Sequence, residues 1–387
     1  MPGTPIGGTL PRALGLWQAI AANVVTMIGS AIFVTIPLVL SAMGGPQAFL
    51  GWVLGMVVAL ADGLVWAELG VAMPAAGGTY TYLEEAFERL GAGRLMSFLF
   101  LWGSAISFPL ISAFIAVSFS QYVQYLWAGM TRAQGKLLAA ALCASMTVLL
   151  YREITAIGRL MLSIFVVVMI TLAAIVATGV WHFDPKLAFD LAPGAFRLSS
   201  FFFIGLASAT LFAALDYGGY CNVCFIAAEI ERPSYTIPRA VLGSIVLTAL
   251  FYLLISAVVV GVIPWRTAAH STTVISDVFR KLHGPMAAIG ITVLILWATA
   301  GSLFTSLLGF SRVLYAGAVD GQFFFVLRAA ASYEKISVRI GSIARCTVHD
   351  SLYVRPGVSD QGDQCDIDVD ARHSAGGSAY GDTAISS

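Results

Sequence analysis

Two short stretches of this 387-residue sequence place flexible, polar backbone inside long apolar runs, where it could hold a small charged molecule. The first is Ile28, Gly29, Ser30, Ala31 and Ile32; the second is Leu215, Asp216, Tyr217, Gly218 and Gly219. A Gly/Ser pair is a place where a helix kinks or opens, and two adjacent glycines beside a carboxylate interrupt a helix more strongly still. Opening a helix in hydrocarbon strands N–H and C=O groups that protein, water or ligand must then satisfy. N–H groups freed at the first break suit a carboxylate, and carbonyls freed at the second suit an ammonium group. A molecule carrying both is an α-amino acid. The bland alternative is that these small residues serve close helix packing.

Other residue types point to further chemistry. Asp216 lies near the centre of its run, where a carboxylate costs about 2.5–3.5 kcal/mol on insertion scales. It would favour a cationic substrate, carry a proton, or cap the second half of its helix. Asp62 and Glu68 are six residues apart, roughly 240° around a helix, so they form no paired site; Asp62 is expected to face the interior and Glu68 to lie near a helix end. Glu229 and Arg312 are a candidate gate contact, set against the weakness of ordinary surface pairs. Cys221 and Cys224 have the spacing of a redox or zinc pair but no second Cys or His pair nearby, which favours simple packing. Neither HExxH nor GxSxG occurs, so the chain reads as no enzyme, with no metal and no cofactor.

The elements that must position these residues follow from composition. Hydrophobic residues make up 58% and charged residues 11% of the chain, against about 25% charged in a soluble domain, and mean hydropathy is +0.86. Eight apolar segments are long enough for helical spans: 14–42, 47–72, 94–126, 134–151, 157–180, 200–230, 238–263 and 285–316. A membrane barrel would show alternating segments of about ten residues, so the expected fold class is an all-α polytopic membrane protein. With the N-terminus in the cytoplasm, basic residues divide seven to seven between the two sides, and charge decides no orientation. Trp127, Trp181 and Trp265 would close the third, fifth and seventh helices on one interface. A formal net charge of zero argues against nucleic acid as a partner. The breaks near 30 and 217 allow five helices in a first unit and a second unit starting at the sixth, the layout of an inverted repeat with a binding site at the midplane.

Four motifs carry a resemblance. They are Gly29-Ser30-Ala31-Ile32-Phe33, then Glu68-Leu69-Gly70 leading to Pro74-Ala75-Ala76-Gly77-Gly78-Thr79-Tyr80, then Glu229-Ile230-Glu231-Arg232-Pro233 with Ile237-Pro238-Arg239-Ala240, and last Arg312-Val313-Leu314-Tyr315-Ala316 with Asp320-Gly321-Gln322-Phe323. In this order, over about residues 10–325, the sequence resembles the amino acid/polyamine/organocation transporter superfamily. The resemblance implies a five-plus-five inverted repeat, usually of twelve helices, that moves amino acids or polyamines by alternating access. It implies a ligand carboxylate on backbone near Gly29, Ser30 and Ala31 and an amine on carbonyls near Leu215, Asp216 and Gly218. It further implies an ion site at Ser302, Thr305 and Ser306, with H+ or Na+ as the coupling ion, although hydroxyls in membrane helices also bond neighbouring backbone. Two departures stand out: Ala31 occupies a usual glycine position, and Val168 stands where some relatives place a proton-linked lysine.

The expected organisation is a cytoplasmic N-terminal tail at 1–13, a first repeat of helices 1–5 at 14–180, an incomplete second repeat of helices 6–8 at 200–318, and a polar tail at 326–387. Helices 1 and 6 are broken, and helices 1–8 are all that the apolar pattern supports. The tail's composition reads as disordered and as sequence foreign to the family, as a shifted reading frame would produce. The expected setting is the plasma (inner) membrane, with the lipid bilayer and an amino acid or amine as partners; the oligomeric state is not legible. A polyamine or organic-cation carrier and a non-transporting remnant are the rival readings.

Overall fold

Apolar runs in a solvent without water must satisfy their backbone internally, which helices do. The computed structural model describes residues 12–29, 31–152, 154–192 and 194–323, with backbone alone at residue 31, and forms helix within each expected apolar segment. Most of the expected N-terminal tail and the expected foreign tail at 326–387 lie outside these residues. The first segment is α1 (Leu16–Met27) and α2 (Ala31–Met43), bent by 50° at the break. Next come α3 (Phe49–Ala72), α4 (Thr79–Glu88), α5 (Gly93–Leu126), α6 (Arg132–Leu149) and α7 (Ile154–Trp181). The remainder comprises α8 (Pro185–Ala188), α9 (Ser200–Asp216), α10 (Asn222–Phe225), α11 (Pro233–Val262), α12 (Trp265–Ala268), α13 (Val274–His283) and α14 (Pro285–Val319).

Local chemistry explains several boundaries. Thr131 and Gln134 form a reciprocal capping box that opens α6, and the Ser199 hydroxyl accepts from Phe202 N at 3.3 Å to open α9. Pro233 sits where a helix's first N–H is unpaired in any case, so α11 begins there and not at the expected residue 238. Trp127 follows α5, Trp181 closes α7 and Trp265 follows α11, as the belt pattern predicts.

Of the eight expected spans, five are single helices long and apolar enough to cross a membrane, and the bent α1–α2 pair makes a sixth. The sixth expected segment is divided because α9 stops after 17 residues at the Asp216 break and resumes only as the short α10. α6, with 18 residues, is not among those helices. The chain is an integral membrane protein with apolar flanks turned outward, as at Val57, Val58, Leu110 and Ile204.

Small residues bring helices close where side chains would hold them apart. A Cβ built on Gly51 or on Gly55 of α3 would stand 2.7 Å from the Cβ of Ala209 or of Ala213 on α9. Further along α3, Gly63 meets Ile245 and Gly70 meets Ile237, both on α11. α3 therefore seats α9 and α11, the helices on either side of the second break.

Candidate functional site

The two breaks meet. α1 ends at Met27, with Ile28 N bonded back to Val24 O at 2.8 Å; Gly29 follows, and α2 starts at Ala31. Ser30, an expected ligand contact, lies outside the described residues, as does the side chain of Ala31. Ile28 and Ile32 are fully buried. On the other side, α9 ends at Asp216, and turns carry the chain through Tyr217, Gly218 and Gly219. Gly219 packs directly on the first break: a Cβ there would stand 2.8 Å from Met27 N and 2.9 Å from Thr26 Cγ2. Gly29 faces α14, where a Cβ would come 2.5 Å from Ser302 Oγ.

One hydroxyl joins the two helix ends. Tyr252 of α11 donates to Met27 O at 2.7 Å and lies 3.2 Å from Asp216 O. Its ring packs between Trp52, at 5.0 Å, and Tyr217, at 5.1 Å between centroids. The carbonyls freed by the breaks thus have partners within the protein, which is what hydrocarbon surroundings require. Leu215 O likewise accepts from Gly218 N at 3.0 Å, and Tyr217 O from Gly219 N at 2.7 Å. Of the expected amine-facing residues, Leu215 is exposed at 68% whereas Asp216 and Tyr217 are buried. The Asp216 carboxylate accepts from Thr35 Oγ1 of α2 at 3.0 Å.

A second polar knot ties the second half of span six to α1 and α14. Asn222 Nδ2 donates to Thr305 O at 3.0 Å and to Thr26 Oγ1 at 3.1 Å. Asn23 Oδ1 accepts from Val223 N at 2.9 Å, and Asn23 Nδ2 donates to Ser244 Oγ at 3.3 Å. The expected ion-site hydroxyls belong to this knot. Ser302 Oγ donates to Thr26 O at 3.0 Å, and Thr305 Oγ1 lies 2.9 Å from Thr26 Oγ1 and 3.2 Å from Gly301 O; Ser306 is buried beside them. The Ser302 and Thr305 hydroxyls bond backbone or another hydroxyl, which is the backbone-partner role that the sequence also allowed.

The expected gate pair also meets. Arg312 Nε stands 2.6 Å from Glu229 Oε1, with side chains 11% and 2% exposed, so this is a buried ion pair and not the weak surface contact weighed from sequence. Backbone closes the same end: Ala13 N and Leu14 N both donate to Glu229 O at 3.0 Å, and Glu231 N donates to Leu14 O at 2.9 Å. Asp62 departs from expectation, since its position on α3 is exposed and its carboxylate reaches back to accept from Tyr220 OH. Cys224 is buried with its thiol on Trp66 O at 3.5 Å, the packing role that the sequence favoured. Thr35 and Tyr252 carry no sequence signal of their own. Asn23, Thr26 and Asn222 do, as polar residues inside apolar runs.

Comparison with known proteins bears on this arrangement. The sequence model of a family described as amino acid permease matches residues 14–349, and so includes residues 326–349 of the tail expected to be foreign to the family. The chain is 27% identical to a serine/threonine exchanger of Bacillus subtilis over 322 residues, 79% of this chain and 68% of that protein. It is 30% identical over 333 residues to the large neutral amino acids transporter small subunit 2 of Mus musculus, covering 81% of this chain but only 60% of the relative. A transporter of Mycobacterium tuberculosis is 30% identical over 317 residues, 80% of this chain and 67% of that one. The match to the mouse protein thus stops well short of that relative's full length.

Proposed function

This chain belongs to the amino acid permease family, and on that premise we propose that it is a secondary transporter that moves amino acids across the plasma membrane by alternating access. The observation that carries the reading is the meeting of two helix breaks, held by Tyr252 on Met27 O and Asp216 O and by the close seat of Gly219 against Met27. Backbone at Ile28, Gly29, Ser30, Ala31 and Ile32 takes the ligand's carboxylate, and carbonyls around Leu215, Asp216, Tyr217, Gly218 and Gly219 take its amine. Helix breaks at corresponding places in two repeats mark such a midplane site.

Alternating access requires that one end close while the other opens. In this reading the end holding Glu229, Arg312 and the Leu14–Ile230 bridge is cytoplasmic and closed, and it opens by separating that ion pair. If sodium and not a proton were the coupling ion, Thr26 O and the hydroxyls of Ser302, Thr305 and Ser306 at the α1–α14 contact would hold it, an all-oxygen set without a carboxylate. Substrates follow the relatives' names: small hydroxylated and large neutral amino acids are the first candidates.

The test is uptake of labelled L-serine, L-threonine, L-leucine and putrescine by the purified full chain in proteoliposomes. Saturable uptake of an amino acid, blocked by excess unlabelled compound, is expected. Uptake of putrescine alone would replace this reading with the polyamine one, and uptake of none would overturn it.

A further inference from the structure

Asp216 has a carboxylate oxygen that nothing in the transport reading uses. The residue is 8% exposed at the end of α9. Its Oδ1 accepts from Thr35, whereas Oδ2 is fully enclosed and accepts no hydrogen bond from any described residue. The groups facing it come from three directions. α2 contributes the Thr35 hydroxyl; the turn after α9 contributes Tyr217, whose hydroxyl is buried without a partner among the described residues; α11 contributes Tyr252, whose hydroxyl is engaged by Met27 O and Asp216 O. The nearest acidic group on α3, Asp62, is held by Tyr220. Neither ion pair among the described residues includes Asp216.

A bare carboxylate enclosed among apolar groups with one hydrogen bond is strongly disfavoured unless a cation joins it. An oxygen with no exposed surface leaves no room for an organic ammonium group or for a metal ion with its shell of ligands. A proton needs no room. We propose that Asp216 is a proton-binding site and that its proton is the ion coupled to transport.

The location gives the coupling its mechanics. Asp216 is the last residue before the second break, Thr35 on the helix after the first donates to its carboxylate, and Tyr252 ties its backbone carbonyl to the end of α1. Closing α2 on α9 around Asp216 encloses the carboxyl, so the O–H bond must form first, with a proton taken from water on one side. Parting the same helices admits water, and the O–H bond breaks to release the proton on the other side. No electrons change hands. This coupling step rests on the transport reading, whereas occupancy of Asp216 by a proton does not.

Infrared spectroscopy of the full chain in lipid nanodiscs at neutral pH tests occupancy without any substrate. A protonated-carboxyl C=O band is expected in the wild type, absent from Asp216→Asn, retained in Asp62→Asn and shifted in Thr35→Val, where Oδ1 loses its donor. Identical bands in wild type and Asp216→Asn would overturn the proposal. For coupling, proteoliposomes receive a gradient of one pH unit, acid outside, with labelled L-serine and L-leucine as probes. One proton per substrate predicts about tenfold accumulation at equilibrium, falling to no accumulation in Asp216→Asn. Accumulation that survives in Asp216→Asn, or that never appears in a wild type which does take up substrate, would overturn the coupling. If the wild type takes up neither probe, the transport reading fails while the infrared result still decides the proton site.

Discussion

Tyr252 shows how much one side chain can hold at the centre of this protein. Its hydroxyl serves the terminal carbonyls of two interrupted helices, Met27 O and Asp216 O. Tyr252→Phe keeps the ring against Trp52 and Tyr217 but leaves those buried carbonyls short of a donor, so a loss of about 1–3 kcal/mol is expected. Thermal unfolding in detergent measures it, and an unchanged midpoint would contradict the assigned role. The Glu229–Arg312 pair is a second case. Replacing Arg312 by Gln strands a nearly buried carboxylate, a class of change that costs about 3–5 kcal/mol. Adding Glu229→Gln should restore much of that loss. A double-mutant cycle gives the coupling directly, and additive losses would mean that the two charges act separately.

Among the elements, α3 is the one whose sequence is written for packing. Its glycines at 51 and 55 allow α9 to approach until alanine Cβ atoms fill the space, and its glycines at 63 and 70 do the same for α11. Gly55→Leu should push α9 away and destabilise the protein by about 1–3 kcal/mol, as overpacking does. Gly243→Ala on α11 is the matched contrast, since nothing lies within 4 Å of a Cβ there; gaining a better helix former should stabilise by up to about 1 kcal/mol. Melting temperatures of the two variants should move in opposite directions. Equal shifts would mean that glycine in these helices matters for backbone flexibility and not for contact.

For the molecule as a whole, the helix count and the closed end at Leu14, Glu229 and Arg312 imply which loops share a side. Starting from a cytoplasmic N-terminus, the turn between α5 and α6 faces out and α4 faces in. Cysteines introduced at the exposed positions Gly129 and Glu88, in a chain whose native cysteines are replaced by serine, test this arrangement in whole cells. A membrane-impermeant thiol reagent should label Gly129→Cys at once and Glu88→Cys only after permeabilisation. The reverse pattern would invert the orientation and with it the assignment of the Glu229–Arg312 end as cytoplasmic.

Composition and hydropathy were enough to determine the solvent and the secondary structure, because apolar runs of this length have no stable form in lipid except helix. The two breaks were legible too, since glycine pairs and a carboxylate have few reasons to sit in mid-span, and so was the partnership of Glu229 with Arg312. Span four has its expected 18 residues, shifted by two, and span six breaks at Asp216 as its carboxylate and glycines imply; hydropathy did not show that the helix resumes beyond the break only as the short α10. What only the tertiary structure decided is which atoms meet at the breaks. Thr35 and Asp216 are 181 positions apart, Asn222 and Thr26 are 196 apart, and Tyr252 and Met27 are 225 apart. Thr35 and Tyr252 are ordinary residues within their own helices, and even for Asp216, Thr26 and Asn222, whose polarity marks them in the sequence, the partner is set by helix packing that brings remote hydroxyls and amides together.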